Sequence, residues 1–407
     1  MEATAPVVLV GGGHAAAAFA NSVRRAGHEG RVLLVSDEPV PPYHRPPLSK
    51  KYLADGLAVE QILIRAAAWY DEHRIELRLG QRAESIDAAA RRLRLAGGEV
   101  LDYSRLVLMT GARPRRLPAA IGGDLQGVLL MRSLADADAL APQLVAGRRM
   151  LVVGGGYIGL EAAAVAVSKG LQVTLLEAAP RILQRVAAPA TSDYFRALHR
   201  ARGVDLREGV SLRRLLADGG RVCAAELDDG SRIDADVVLV GIGVLPNVEL
   251  AEVAGLAVDN GIVVDSLCQT SDPAILAAGD CCSFDYRGRR IRLESVQNAN
   301  DQAATAAHTV AGQPKPYAAL PWFWSDQYDC KLQIAGLNSG YDEVVVRPGK
   351  TDRSQSVWYY RGGQLLAVDA MSDPAAYVTA KKLLERGGSV PPAQAADPSS
   401  EFRSWGA

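Results

Sequence analysis

Apolar residues in this chain come in two textures. In the first, short runs rich in Val, Leu and Ile stand between polar stretches, at residues 7–10, 31–36, 106–112, 151–153, 172–176, 237–240 and 270–280. Continuous apolar runs of this length, as opposed to alternating ones, predict strands buried on both faces of a parallel sheet. Two of them open a repeated unit. Val7-Val8-Leu9-Val10-Gly11-Gly12-Gly13 recurs in form as Leu151-Val152-Val153-Gly154-Gly155-Gly156, with Gly11 and Gly154 143 residues apart. Each glycine turn leads into an alanine-rich helix, about 15–26 and 157–169, and then into a second strand that ends in acid: Asp37 with Glu38 in the first copy, Glu177 in the second. The second texture begins at Pro321. Aromatic and alternating segments at 322–324, 332–334, 343–346, 357–360 and 365–368 predict a strand meander. A helix over about 375–386 follows, and the Pro-, Ser- and Gly-rich stretch from Gly387 is expected to be a mobile tail.

Strand, glycine turn, helix, second strand and terminal acid, in that order, suit a dinucleotide. The glycines let the backbone approach a pyrophosphate, the helix N-terminus offers unpaired N–H groups and a positive dipole end, and the acid accepts from a ribose hydroxyl. The acids lie 21 residues beyond Ala16 and 18 beyond Gly159, close to the spacing that role requires. Glycine turns also serve packing alone, but the full order met twice predicts two nucleotide sites. Other strand ends carry Thr110-Gly111, Gly241-Ile242-Gly243 and Gly279-Asp280, where one nucleotide domain would be left and re-entered.

Composition narrows the class without naming it. A length of 407 residues suggests two or three domains, and 48% hydrophobic with 22% charged residues excludes general disorder. Lys+Arg is 45 against Asp+Glu 46, so no global field attracts nucleic acid or anionic membrane, and a charged partner needs a local patch. No run reaches the roughly 18 apolar residues of a membrane span, and the start lacks a basic secretion signal, so a cytoplasmic protein is expected. Cys223, Cys268, Cys281, Cys282 and Cys330 make no CxxC pair and the six histidines no HExxH, so no metal is expected. The vicinal Cys281 and Cys282 read as small buried hydrophobes, because a ring closed between neighbours is strained.

More specific strings run through the chain: Pro42-Tyr43-His44-Arg45-Pro46-Pro47-Leu48-Ser49-Lys50, the Thr110-Gly111 and Gly279-Asp280 strand ends, Glu294-Ser295-Val296, and Pro321-Trp322-Phe323-Trp324-Ser325-Asp326-Gln327-Tyr328. In this order, and over nearly everything but the tail after Gly387, the sequence resembles the NADH-dependent, FAD-containing ferredoxin reductases of bacterial oxygenase systems. The resemblance implies a glutathione-reductase-like α/β fold of two Rossmann-like dinucleotide-binding domains plus a C-terminal α+β domain. It assigns residues 1–113 and 244–320 to FAD, 114–243 to NADH, and 321–407 to the C-terminal domain with its mobile tail. It puts Gly11, Gly13, His14, Ala15 and Asp37 in the adenosine-diphosphate site of FAD, Arg45 and Lys50 beside the flavin, Ala83 near the adenine, and Arg132 at a further FAD contact. Asp280 would hold the ribityl chain, with Val296 and Gln297 at the flavin edge; Thr110, Gly111, Gly279 and Trp324 are counted with the cofactor residues. A helix starting near Gln297 would aim its N-terminus at the flavin and favour an anionic reduced ring.

Gly154, Gly156, Gly159, Glu177 and Gly241 match the NADH site. Tyr157 would gate the nicotinamide pocket and Glu161 would pair with Lys50. A carboxylate this early in a helix is also a plain dipole complement, yet a lysine near the flavin without a partner would be a costly buried charge. His14 replaces a smaller family residue, and its side chain is expected to point to solvent.

The implied activity carries electrons from NADH through FAD to a 2Fe-2S ferredoxin, which feeds a haem-thiolate monooxygenase or a dioxygenase. Oxidases, peroxidases and disulfide reductases of this fold need a cysteine near the flavin, and no Cys precedes Cys223. A rubredoxin as the acceptor, or a redox-sensing role resembling that of apoptosis-inducing factor, stays open at this point. Glu177 favours NADH over NADPH, with Arg181 and Arg185 as the opposing charges. Ferredoxin docking is expected on Arg65, a basic position in the family, together with Arg290, Arg292 and Lys315. The Arg-rich run 287–292 reads equally well as a solvated hairpin.

Overall fold

The computed structural model describes residues 5–405. The chain gathers into two compact units, one made of residues up to Arg45, Leu57–Arg113 and Val244–Ala319, the other of Pro46–Gly56, Pro114–Gly243 and the chain from Leu320 on.

In the first unit the continuous apolar runs form one parallel sheet, in the order Ile275–Ala277, Arg105–Leu108, Val7–Val10, Val32–Val35 and Ile75–Arg78. Val7–Val10 and Val32–Val35 are buried along their whole length, as strands covered on both faces must be. One face carries the helices His14–Arg25 and Val296–Val310, whose Ala16, Ala20, Ala303 and Ala306 share a core with Phe19 and Leu9. Small residues on both helices let them pack closely on each other and on the sheet. The other face is covered by an antiparallel ribbon, Ala83–Asp87, Arg92–Leu95 and Val100–Asp102, through Ile86, Leu93 and Leu95. Of this ribbon the family resemblance gives only a strand at Ala83, although Arg92-Leu93-Arg94-Leu95 alternates cleanly between exposed and buried positions.

The second unit repeats the plan. Asp205–Glu208, Gln172–Glu177, Arg149–Val153, Val237–Val240 and Val128–Leu129 make a parallel sheet, and Leu212–Asp218, Arg221–Leu227 and Arg232–Asp234 make its ribbon. From Trp322 five antiparallel strands follow, in the order Trp322–Gln327, Cys330–Gly336, Gln364–Met371, Gln355–Arg361 and Glu343–Pro348, backed by the helix Pro374–Glu385.

The expected mobile tail is corrected by this structure. Pro392–Ala396 is helical, and Val390, Ala395 and Trp405 are buried in one cluster with Trp358 and Val345. Composition misleads here because a few apolar side chains, spaced among Pro and Ser, suffice to dock a segment whose backbone carbonyls find a donor. That donor is Arg347, itself 6% exposed.

Candidate functional site

Each unit carries a glycine turn of the same construction. Gly11 has φ +132°, and a Cβ there would lie 2.2 Å from the Met109 carbonyl oxygen; Gly154 has φ +111° and a Cβ would lie 2.4 Å from that of Gly241. The first glycine of each turn is thus required by backbone packed against backbone. The third has another reason. Gly13 and Gly156 are the N-caps of the helices His14–Arg25 and Tyr157–Ser168, and no side chain caps either helix. A Cβ on Gly156 would meet nothing within 4 Å, and one on Gly13 only Arg45 Nε at 3.8 Å. Open space in front of uncapped helical N–H groups fits a diphosphate, so both turns suit the nucleotides that the sequence assigns to them.

The acids are not equivalent between copies. Val35 pairs with Val10 as Leu176 pairs with Val153, so the place of Glu177 is taken in the first unit by Ser36, and Asp37 lies one residue further on and is exposed. Glu177 Oε2 accepts from Gly155 N at 2.7 Å and Oε1 from Ala179 N at 2.8 Å, which fixes the carboxylate at the edge of its glycine turn. In the first unit Glu38, not Asp37, is engaged, by Tyr43 and Arg45. Burial opposes the Arg45 charge, but Tyr43, Glu38 and Asp280 outweigh it and raise the pKa.

Other expected residues of the first unit lie on strand ends and the helix N-terminus. Thr110 Oγ1 donates to Asn247 O at 2.6 Å and Asn247 Nδ2 to Thr110 O at 2.7 Å, while Asn247 N donates to Gly111 O. Asn247 is a residue the sequence reading missed; its signal was its place just after the Gly241–Gly243 turn. Gly279 N donates to the buried Gln302 Oε1 at 2.8 Å, also unforeseen. Ser295 caps the helix that starts at Val296 by accepting from Asn298 N, Gln297 is 4% exposed, and Asp280 and Ala83 are half-buried. Ala15 is buried in the helix core. His14 is corrected: it is 8% exposed, not solvated, and its ring lies 5.4 Å from that of His44. The turn leaves it facing the Tyr43-His44-Arg45 segment instead of water. Cys281 and Cys282 are sealed at 0% exposure with sulfurs 3.9 Å apart.

In the second unit the two expected charges meet. Lys50 Nζ lies 2.9 Å from Glu161 Oε1, and Glu161 is 2% exposed. The helix Tyr157–Ser168 presents Tyr157 at its first position and Glu161 one turn later on the same face. The Tyr157 ring packs on Phe323 at 4.9 Å; burial holds its hydroxyl well above the usual tyrosine range, with Asp369, Tyr359 and Glu161 adding to the effect. Trp324 is half-buried, 5.7 Å from Trp322. Gly159 tolerates no side chain, since a Cβ would lie 2.1 Å from Gly154 O, and Gly241 completes the turn. Arg132 is half-buried, with its backbone N bound to Asp136. Arg181 is engaged by Ser192 Oγ at 2.6 Å, and Arg185 lies near Gly243. A further buried acid, Asp369, accepts from Thr191 and Tyr359.

The expected docking residues divide. Arg65 is exposed over the Trp69 ring at 5.6 Å, and Lys315 is exposed. Arg290 pairs with Asp259 at 3.4 Å. Arg292 is corrected: its side chain is 11% exposed and bound to Glu294 at 2.6 Å, so it is spent inside the unit. Residues Cys282–Tyr286 and Arg289–Ile291 do form the hairpin.

The profile of the family described as pyridine nucleotide-disulphide oxidoreductase matches residues 5–303, and that of the reductase C-terminal domain matches 322–405. This chain belongs to the pyridine nucleotide-disulphide oxidoreductases. It is an oxidoreductase of the type that uses FAD and NADH, and the second match takes in the tail that the sequence reading set outside the resemblance. Among the relatives, putidaredoxin reductase of Pseudomonas putida is 43% identical over 94% of this chain and 92% of its own length. A rubredoxin-NAD(+) reductase of Pseudomonas putida is 38% identical over 90% and 96%. The crystal structure of a covalent putidaredoxin reductase–putidaredoxin complex superposes with TM-score 0.95 at 41% identity, over 99% of this chain and 98% of that one. Among the described residues no helix is long and apolar enough to cross a membrane.

Proposed function

We propose that this chain passes electrons from NADH to a 2Fe-2S ferredoxin that supplies a haem-thiolate monooxygenase or a ring-hydroxylating dioxygenase in the cytoplasm. The observation that carries the reading is full-length similarity to putidaredoxin reductase, C-terminal domain included, in a chain with no cysteine before Cys223. A disulfide-reducing member of the family needs thiols beside its flavin; Cys281 and Cys282 are sealed from any substrate. FAD, held at Gly11, Gly13 and the N-terminus of His14–Arg25, would supply a hydride acceptor for NADH and one-electron release to the carrier.

The residues of this chain bind, orient and exclude water. Gly11, Gly13 and the first turn of His14–Arg25 hold one diphosphate, Gly154, Gly156 and the first turn of Tyr157–Ser168 the other. Glu177, already fixed by Gly155 and Ala179, accepts from a ribose and repels a 2′-phosphate. Tyr157 shields the nicotinamide site with an aromatic face, and the Lys50–Glu161 pair supplies a fixed charge to the flavin. Arg65 and Lys315, with Arg290 secondary, offer local positive charge to an acidic carrier.

Similarity to a rubredoxin-NAD(+) reductase supports the second reading, in which the carrier is a rubredoxin. Purified protein with FAD, supplied with NADH and either carrier, separates them. Faster reduction of the ferredoxin is expected, and faster reduction of the rubredoxin overturns the first reading. Cell fractionation tests the location.

A further inference from the structure

Glu161 is held by more than Lys50. Its Oε1 also accepts from Ser325 Oγ at 2.6 Å, and its Oε2 from Ser49 Oγ at 2.7 Å. Ser325 is the end of a longer chain. Its oxygen accepts from Gln327 Nε2 at 3.2 Å, Gln327 Oε1 faces His199 Nε2 at 2.8 Å, and His199 Nδ1 faces the Tyr328 hydroxyl at 3.2 Å. Ser325, Gln327 and His199 are completely buried. Tyr328 is half-buried beneath the Arg202 guanidinium, 4.9 Å from its ring, and Arg202 pairs at 2.6 Å with Asp329, whose other oxygen pairs with Arg353.

The direction of this chain follows from valence. An amide oxygen only accepts, so His199 Nε2 must carry a proton, and in a neutral imidazole Nδ1 then accepts from the Tyr328 hydroxyl. Burial pushes the His199 pKa down to about 4, against a smaller opposing pull from Gln327, so the ring is neutral at ordinary pH. With its oxygen taken by His199, Gln327 turns its NH2 to Ser325. The serine oxygen is thereby used as an acceptor, and its single proton goes to Glu161. Every donor from Tyr328 inward points at the carboxylate.

We propose that His199, Gln327 and Ser325 are positioning residues, a one-way chain of donors from Tyr328 that fixes the Glu161 carboxylate and, through it, the Lys50 ammonium. This rests on the reading of Lys50–Glu161 as the pair that serves the flavin. Without the His199 proton the Gln327 amide is free to turn over. Its oxygen then faces Ser325, draws the serine proton, and leaves Glu161 one donor short. A carboxylate that has lost a donor shifts its position and its charge balance with Lys50.

The test uses FAD-loaded protein in the parent and in Ser325→Ala, His199→Leu, His199→Gln and Glu161→Gln. The first readout is the rate at which NADH bleaches the flavin in a single anaerobic turnover, with the apparent NADH affinity taken from its concentration dependence. The second is the flavin midpoint potential. The third needs no turnover: the 15N shifts of His199 in histidine-labelled protein, which report its tautomer.

Ser325→Ala and His199→Leu are expected to slow bleaching by about tenfold, equivalent to about 1.4 kcal/mol in the barrier, with little change in NADH affinity. Their potential should shift in the same direction as that of Glu161→Gln. His199→Gln, which keeps a donor for Gln327, should recover most of the loss. Ser325→Ala should add almost nothing on top of Glu161→Gln, because it acts through that carboxylate. If His199→Leu does not fold, Ser325→Ala and His199→Gln carry the comparison. A proton on Nδ1 of His199 in place of Nε2 overturns the proposal. So does slow bleaching in Glu161→Gln with normal bleaching and potential in Ser325→Ala and His199→Leu, for then the chain only satisfies buried polar groups. Normal bleaching and potential in Glu161→Gln itself would overturn the reading of the pair, and the proposal with it.

Discussion

Replacing Arg347 by Ala should release the C-terminal segment while leaving the rest of its unit folded. The guanidinium is 6% exposed and donates to four carbonyls: Nη1 to Ala395 O at 3.0 Å and Asp397 O at 2.6 Å, Nη2 to Pro398 O at 3.2 Å and Ser400 O at 2.7 Å. Its centre also lies 4.8 Å from the Phe402 ring and 5.2 Å from the Trp405 ring. A hydrogen bond from a charged donor contributes about 1.5–3 kcal/mol and a cation–π contact about 0.5–2 kcal/mol. These do not add, because once the segment detaches its carbonyls take water instead. The loss is therefore capped by the undocking free energy, on the order of 3–5 kcal/mol. At about 1.4 kcal/mol per tenfold, that raises the open population by roughly 10²- to 4 × 10³-fold. Global melting is a poor assay for a chain of several units, whereas hydrogen exchange of peptides spanning 388–405 reads the local opening. Exchange there should accelerate by that factor in Arg347→Ala and by less in Arg347→Lys, which keeps a charge but not the planar fork. Unchanged protection over 388–405 in Arg347→Ala would refute the argument.

Two buried groups of the second unit should give opposing pH slopes. Burial raises the Asp369 pKa to about 6, only partly offset by the bonds from Tyr359 and Thr191, so its folded form prefers the proton and stability falls as pH rises from about 4 to 6. His199, pushed down to about 4 by burial, is neutral when folded, so stability falls as pH drops from about 6.5 to 4. Each slope is on the order of 3 kcal/mol and they largely cancel in the parent. Asp369→Asn should therefore show stability rising with pH across this window, and His199→Gln stability falling, by hydrogen exchange of peptides within 355–371 at fixed pH steps, each corrected for the intrinsic pH dependence of exchange; parallel curves for both variants would contradict the assignment. For cofactor choice, Glu177→Ala should cut the NADH:NADPH ratio of kcat/KM by about tenfold or more, since it removes an acceptor and a repelling charge while Arg181 stays tied to Ser192; an unchanged ratio counts against Glu177. Arg65→Glu should raise the ferredoxin KM several-fold at 0.1 M salt and little at 1 M, where the Debye length falls from about 10 Å to about 3 Å, with ferricyanide turnover unaffected. A ferredoxin KM indifferent to this reversal removes Arg65 from the docking surface.

Much of the fold was legible because parallel strands covered on both faces read as uninterrupted apolar runs, and two glycine turns announce the helices that follow them. The ribbons over each sheet were less visible. Their strands are short, and half of each faces water, so their signal is a few alternating residues among many polar ones. The docked tail was misread because Arg347, which holds it, lies some fifty residues upstream in the chain. In the site, Lys50 and Glu161 were paired from the cost of a lone buried charge together with a family resemblance. Their supporting cast, Ser49, Ser325, Gln327 and His199, could not be, since Ser, Gln and His carry no local pattern that reveals which buried carboxylate they will face. Only Ser325 and Gln327 had a hint, two residues apart on one strand and therefore on one side of the sheet. Asp369 gave none, because the strand expected over 365–368 stops just short of it and its partner Thr191 is remote in sequence.

That this chain hands electrons from NADH to a 2Fe-2S ferredoxin is tested most directly by anaerobic steady-state reduction. The FAD-loaded protein is supplied with NADH and, in separate reactions, a 2Fe-2S ferredoxin, glutathione disulfide, coenzyme A disulfide and hydrogen peroxide. Rapid reduction of the ferredoxin, with only background NADH oxidation by the disulfides and peroxide, is the expected result, and it should survive Cys281→Ser together with Cys282→Ser. Fast turnover with a disulfide or peroxide while the ferredoxin stays oxidised would contradict it.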